Sequence, residues 1–133
     1  MAFPITESEI EKTESEIGLR FPESFRRSMM ANNGGVALTE TDQWELHPFR
    51  DTTDRKRLSR TCNHILVETK SAREWRGFPE NAVAVAGNGF GDVMMFLPSQ
   101  ERPGFLDDRV YAFWHDSPDI AVLAHDFSEF QRE

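Results

Sequence analysis

The sequence predicts one domain that combines helices with short strands. Helical spacing of apolar residues marks positions 1–35 and 51–75, whereas Val83–Ala86 and Val93–Leu97 are short apolar runs separated by a Gly- and Asn-rich turn. Val83–Ala86 is apolar throughout, as expected for a strand buried on both faces. A chain of 133 residues fits a single domain covering 1–133, and it can build a core without disulfides.

The first helix begins and ends with recognisable residues. Thr6 to Glu9 has the composition of a capping box, in which the hydroxyl and the carboxylate each bind a free backbone amide. Gly18 is the expected left-handed stop, and Pro22 suits the first turn of a second helix. The two helices should therefore form a pair.

The second helix is predicted to have one apolar face. Phe25 and Met29 point inward in this pattern, and Arg26 and Arg27 point to solvent. The run from Asn33 to Gly35 should end the helix with at least one residue at positive φ, which glycine adopts most easily.

Residues 51–75 predict either one long helix or two shorter ones. The positions that share one helical face are Leu58, Cys62, Ile65, Leu66, Thr69 and Ala72. This stripe predicts that the cysteine is buried.

Short strands are expected in the remaining segments. Val36–Leu38 and Trp44–Phe49 precede the long helical region, and Val110–Trp114 and Ile120–Leu123 follow the central hairpin. Asp126–Glu129 resembles a cap that opens a final helix. The predicted core consists of Phe25, Met29, Leu58, Ile65, Leu66, Val83, Val85, Val93, Met95, Phe96, Val110 and Phe113.

Composition limits the classes of function. The formal net charge is −8, with one cysteine, which excludes an internal disulfide and a multi-cysteine zinc site. The apolar runs are too short to span a bilayer, and the N-terminus lacks the basic and apolar parts of a secretory signal. We therefore expect a cytoplasmic protein with no membrane partner.

The charge is unevenly distributed along the chain. Residues 50–76 carry four acids and eight bases, whereas residues 77–133 carry ten acids and three bases. A nucleic-acid partner is disfavoured because the chain as a whole repels phosphate, and the basic run contains a single aromatic residue for base stacking, Trp75 near its end. A solvated helix face explains the basic run better.

No catalytic or metal-binding pattern stands out. Gly87, Gly89 and Gly91 do not have the spacing of a phosphate-binding loop, and a strand follows them instead of a helix. The four histidines are not at metal-ligand spacing from one another, so we expect no metal and no cofactor. A small hydrolase that uses His115, Asp116 and the glycine loop remains an alternative.

Acidic residues in the loops around one strand form a candidate binding rim. Asp107, Asp108, Asp116 and Asp119 could hold a divalent cation, but they lack calcium-loop spacing, and an acidic rim for a protein partner fits them better. The large aromatic residues Trp44 and Phe90 are candidate anchors for that partner.

The ordered motifs resemble the SMI1/KNR4 family of the SUKH superfamily. Residues 5–35 match its opening of an acidic helix, a Gly-Leu-x-hydrophobic-Pro connection, a second helix and an Asn-Gly-Gly stop. Residues 78–98 are similar to its central hairpin, with the Gly91-Asp92 step, and residues 110–130 are similar to its closing strands.

This resemblance implies an α+β fold in which a mixed, largely antiparallel sheet packs against helices. It also implies a non-catalytic binding protein, since bacterial members are interpreted as immunity proteins that neutralise toxins and fungal relatives as regulatory proteins. A basic toxin domain is the expected partner, and Asp92 joins the candidate contact residues. A regulatory scaffold remains a further alternative.

Overall fold

The computed structural model describes residues 2–117 and 119–133. The α-helices are Glu7–Ile17 (α1), Glu23–Ala31 (α2), Arg55–Arg60 (α3) and Ile65–Ala72 (α4). The strands are Val36–Leu38 (β1), Gln43–Leu46 (β2), Val83–Gly87 (β3), Val93–Phe96 (β4), Val110–Phe113 (β5), Ile120–Ala124 (β6) and Gln131–Arg132 (β7). A 3-10 turn at Phe127–Glu129 lies between the last two strands.

The seven strands form one sheet in the order β6-β5-β4-β3-β2-β1-β7. Every pairing between these strands is antiparallel, and an isolated bridge between Arg20 and Phe105 is parallel. The predicted α+β class, with a largely antiparallel sheet packed against helices, is confirmed.

The sheet separates two hydrophobic clusters. On the first face, β3 contributes Val83 and Val85 to a cluster that also contains Phe25 and Phe96. On the second face, alternating positions of the same strands contribute Ala84, Met95 and Phe113 to a smaller cluster. Both sets are buried, so β3 is covered on both sides as its apolar sequence predicts.

Helices α1 and α2 cover the first face with aromatic packing. The Phe25 ring lies 5.1 Å from the Phe96 ring and 4.9 Å from the Phe127 ring, both edge-on, the geometry that aromatic pairs prefer. Helix α2 ends at Ala31 with Asn32 as an extended C-cap, and Gly34 and Gly35 follow in the loop with φ of 134° and 79°, which confirms the predicted positive φ in this run.

Helix α4 covers the second face and is tied to β3 by one hydroxyl. The backbone amide of Ala84 donates to Thr69 Oγ1 at 2.9 Å, and this hydroxyl donates back to the Ala84 carbonyl at 3.3 Å. The register of β3 against β4 shifts between Ala84 and Ala86. Thr69 therefore satisfies the backbone where the strand is irregular.

The predicted capping box at the first helix is wrong. Thr6 is the N-cap and Gly18 the left-handed stop, but the Thr6 side chain makes no capping hydrogen bond. The Glu9 carboxylate accepts from the amide and hydroxyl of Thr52 instead. A distant loop thus competes successfully for the acid that the local pattern assigns to the cap.

The prediction that Arg26 faces solvent is also wrong. Its side chain is fully buried between the first two helices, where Nε donates to Glu14 at 3.2 Å and Nη1 donates to Glu7 at 2.8 Å. Burial opposes the charge, but these carboxylates outweigh it and raise the pKa of Arg26. The buried guanidinium is compensated and joins α1 to α2.

Residues 51–75 form two short helices rather than one. His64 precedes α4 with extended backbone, at φ −71° and ψ 168°, and this break rotates the helical face between the two pieces. As a result Leu58 is 46% exposed and Cys62 is exposed, so their predicted burial is wrong. Leu66 is only half-buried, while Ile65 and the other nine predicted core residues are buried.

The final segment differs from the predicted helix. Asp126 and Glu129 do form a reciprocal capping box, but it opens a single 3-10 turn. Phe130 is extended at φ −85° and ψ 140°, and the chain then pairs as β7 with β1. In the described part of the chain, no helix is both long and apolar enough to cross a membrane.

Candidate functional site

Three connections meet at one end of the sheet, which we call the turn end. The segments are 39–42, 88–92 and 114–119, of which all but residue 118 are described. Glu45 pairs with Gly87 and Val93 pairs with Phe113, and in an antiparallel sheet these registers place the three connections side by side.

The turn end carries only acidic formal charge. Its three segments contain no Lys or Arg, and Asp92, Asp116 and Asp119 from the predicted rim lie here. Glu40 and Asp42 in the β1–β2 connection add two further acids that the sequence analysis missed, because only the sheet registers bring them to this end.

Asp92 and His115 form a fixed pair. One Asp92 oxygen lies 2.8 Å from Nδ1 of His115 and accepts from the His115 backbone amide at 3.0 Å, while the other accepts from Asn88 at 2.9 Å. Burial raises the pKa of Asp92, but these hydrogen bonds outweigh it and lower that pKa below its usual range. The same contact raises the pKa of His115 and favours its cation.

A glycine allows this close approach. Gly91 has φ of 93°, and a Cβ there would lie 3.3 Å from Cγ of the His115 ring. Any other residue would be strained in that backbone conformation and would press on the imidazole. This gives the predicted Gly91-Asp92 step a physical role in holding the pair.

Asp92, His115 and Asp116 could also offer ligands to a cation. One ligand atom from each lies within 4.8 Å of the other two. The imidazole and carboxylate already bond to each other, so an ion pair accounts for that contact. The arrangement could hold a proton or a cation, but among the described residues no Ser, Thr or Cys side chain hydrogen-bonds to His115 as a nucleophile would.

The two candidate anchors lie in different places. Phe90 is at the tip of the β3–β4 connection and is 73% exposed. Trp44 is 0% exposed in the core, with its ring 6.3 Å from the ring of Trp114. We therefore leave Trp44 out of the binding surface.

Trp114 instead lines an open groove beside the turn end. The groove has a volume of about 600 Å³ and combines apolar with acidic walls. Its principal residues are Leu38, Glu40, Asp42, Trp114, Leu123, Glu129 and Phe130. A tryptophan at the end of a strand was the only sequence feature that could have suggested it.

Asp107 and Asp108 lie at the opposite end of β5 from Asp116 and Asp119. They precede the strand and the other pair follows it, so the four-residue strand separates them by about 13 Å. Asp107 is also partly neutralised, since it pairs with Arg109 at 3.0 Å and accepts from the Tyr111 hydroxyl at 2.7 Å. The structure does not bring these four aspartates into one cluster.

A cavity on the second face of the sheet adjoins the turn end. It has a volume of about 180 Å³ and lies between α4, the end of β2 and the glycine connection of the hairpin. His47, Glu68, Ser71 and Trp75 line it. These residues come from separate segments, and no local pattern in the sequence connects them.

Comparison with known proteins identifies one family. The model of the SMI1 / KNR4 family (SUKH-1) matches residues 4–133. No curated protein matches the chain.

Proposed function

The chain belongs to the SMI1/KNR4 family (SUKH-1), and on that premise we propose that it is an immunity protein that neutralises a bacterial toxin by direct binding. In this proposal the protein is not an enzyme, needs no cofactor, and acts in the cytoplasm. The exposed, unpaired thiol of Cys62 suits a reducing compartment.

The observation that carries the proposal is the charge of the turn end. Five acids lie in three adjacent connections that contain no Lys or Arg, and exposed Phe90 stands among them. Asp92 is paired with His115, so the free acidic charge comes from the other four, Glu40, Asp42, Asp116 and Asp119, which are exposed or partly exposed. Such a surface attracts a basic partner and repels nucleic acid. A toxin that acts on nucleic acid must present basic groups to phosphate, so an acidic inhibitor can compete for the same groups.

The basic residues of 50–76 give little support to a nucleic-acid partner. Arg50 pairs with Glu16 at 3.0 Å, and Arg57 pairs with Asp54 at 2.6 Å. The guanidinium groups of Arg57 and Arg60 also lie 4.5 Å and 5.3 Å from the centre of the Phe3 ring. Several of these cations are thus committed to contacts within the chain.

The experiment compares two triple variants with the same change in charge. Asp42→Asn, Asp116→Asn and Asp119→Asn remove acids from the turn end, and Glu80→Gln, Glu101→Gln and Asp108→Asn remove exposed acids elsewhere. Association with a purified basic toxin domain encoded beside this gene is followed by stopped flow at low and high salt.

We expect the turn-end variant to associate about tenfold more slowly at low salt, with the difference shrinking at high salt, and the control to stay near wild type. Equal rates for both triple variants, or a wild-type rate that is insensitive to salt, would contradict the proposal.

A second candidate is a small hydrolase, favoured by the Asp92–His115 contact at 2.8 Å. A carboxylate that orients an imidazole is half of a general-base arrangement. In that case, hydrolysis of a panel of activated esters should disappear in His115→Ala. Activity that is absent in the wild type, or unchanged in the variant, rejects this candidate.

A further inference from the structure

We propose that the cavity between α4 and the β3–β4 connection binds the guanidinium group of an arginine side chain from the protein partner. The inference rests on the proposed function, because it names the group that a basic partner inserts beside the turn end. The cavity volume, about 180 Å³, suits one side chain rather than a larger ligand.

Small residues line the inner wall of the cavity and leave its volume unfilled. Ala72 from α4 and Ala84, Ala86 and Gly87 from β3 line the cavity, and all but Gly87 are buried. None of these side chains extends beyond Cβ, so the helix and the strand enclose a gap that larger residues would fill.

The polar groups of the cavity have free hydrogen-bonding capacity. The side chains of Glu68, Ser71 and His47 make no hydrogen bond to another described residue, and Glu68 makes no ion pair within that part of the chain. Glu68 and His47 are nevertheless half-buried. Ser71 is exposed, and the polar atoms of all three side chains remain accessible from the cavity. A ligand that enters the cavity covers these atoms, so it must supply hydrogen bonds in place of the water that they lose.

These groups mainly accept hydrogen bonds. An ionised carboxylate has only acceptor sites, a hydroxyl oxygen can accept, and a neutral imidazole has one acceptor nitrogen. Burial lowers the pKa of His47 to about 4, so its ring is neutral at pH 7 and does not repel a cation. A guanidinium offers five N–H donors in a plane, and it can meet several acceptors at once.

Trp75 completes the site with an aromatic wall. Its ring is held 6.4 Å from the Phe78 ring and 6.3 Å from the Phe113 ring, yet the residue remains 42% exposed. Guanidinium groups stack on tryptophan more readily than other cations do. This favours arginine over lysine as the inserted residue.

The cavity is continuous with the acidic surface. Gly89, Gly91 and Asp92 belong to the turn end and also line the cavity. The cavity therefore opens beside the acidic surface to which a basic partner is attracted.

The test is an NMR titration with N-acetyl-arginine amide, using N-acetyl-citrulline amide as a control of the same shape without charge. We expect saturable shifts at His47, Glu68 and Trp75 with a dissociation constant of about 1 mM, and at least tenfold weaker binding of the citrulline compound. Glu68→Gln should weaken arginine binding about tenfold. Glu74→Gln, an exposed residue outside the cavity, should leave it unchanged.

Three results would overturn the inference: no saturable shift, equal binding of the two amides, or equal effects of the two variants. Affinity for the toxin domain then tests the source of the arginine, and it should fall in Glu68→Gln but not in Glu74→Gln. If Glu68→Gln leaves that affinity unchanged, the partner does not supply the arginine, and this fourth result also overturns the inference. The proposed function is judged separately, by the salt dependence and the turn-end variants, so either idea can fail while the other stands.

Discussion

The two faces of the sheet are built for different purposes. The first face is covered by α1, α2 and the 3-10 turn, and its largest side chains, among them Trp44, Phe25 and Phe96, are fully buried. The second face is covered by α4 and the segment that follows it, which contributes Phe78. Its cluster is smaller, and Trp75, Ile120 and Val122 remain between 42% and 49% exposed. The difference suggests that the first face holds the fold together while the second leaves room for a ligand.

Loss of an aromatic ring from the first face should have the largest effect. Phe25→Ala removes a ring that contacts Phe21, Phe49, Phe96 and Phe127, and it should lower the free energy of unfolding by about 3–5 kcal/mol. Urea denaturation measures this loss. Phe90→Ala is the control, since its exposed ring should change stability by less than about 0.5 kcal/mol. Similar losses in the two variants would remove the distinction between core and surface.

Breaking the buried ion pair between α1 and α2 should cause the second-largest loss of stability. Arg26→Ala leaves the nearly buried Glu14 carboxylate without its cation and should cost about 3 kcal/mol. Arg27→Ala in the same helix is a matched control, because that side chain is 78% exposed and should change little. Replacing both partners, as Arg26→Met with Glu14→Gln, should recover much of the stability, because glutamine removes the charge but keeps an oxygen that accepts from the buried Phe21 amide. If the double variant is no more stable than Arg26→Ala, the unpaired carboxylate is not the cause.

Lowering the pH should destabilise the folded protein through His47, which lines the cavity on the second face. His47 stays neutral in the folded protein down to about pH 4, whereas the unfolded chain protonates it near pH 6.5. The unfolded state therefore binds more protons in this window, and stability should fall as the pH drops from 6.5 to 4, by at most about 3 kcal/mol. Urea midpoints at pH 7, 5.5 and 4.5 measure this fall, and His47→Gln should reduce it. Parallel pH profiles for the two proteins would contradict the assignment.

The sequence anticipated the parts of the fold that depend on local pattern. Alternating and apolar runs located β3, β4 and β5. Gly18 marked the end of α1, and Gly34 and Gly35 marked the turn that follows α2, because positive φ is a local requirement. The α1–α2 ion pair was missed because Arg26 looks like an outward residue until α1 packs against it.

Parts of the candidate site could not be predicted because they too form only when distant segments pack together. Asp92 and Asp116 were found as acids in loops, but their meeting with Glu40 and Asp42 depends on the registers of four pairings among five strands. The cavity depends on α4 packing beside β3, which places Glu68 near His47 although they are far apart along the chain. Leu58 and Cys62 were misplaced because the extended residue His64 interrupts the helical period.

A valine-to-threonine substitution should have the smallest effect on stability when it is made on the second face. The same substitution on the first face serves as the comparison. Val122→Thr on β6 keeps the branched shape that strands favour, and because Val122 is 49% exposed its new hydroxyl can bind water. We expect its free energy of unfolding to stay within about 0.5 kcal/mol of wild type. Val85→Thr on β3 makes the same change at 0% exposure and buries a hydroxyl among apolar side chains, which should cost about 1–3 kcal/mol. Chemical denaturation of the two variants under one set of conditions gives the comparison directly. Equal losses would mean that the second face is as tightly packed as the first, and the exposed valine would then have to be covered in solution.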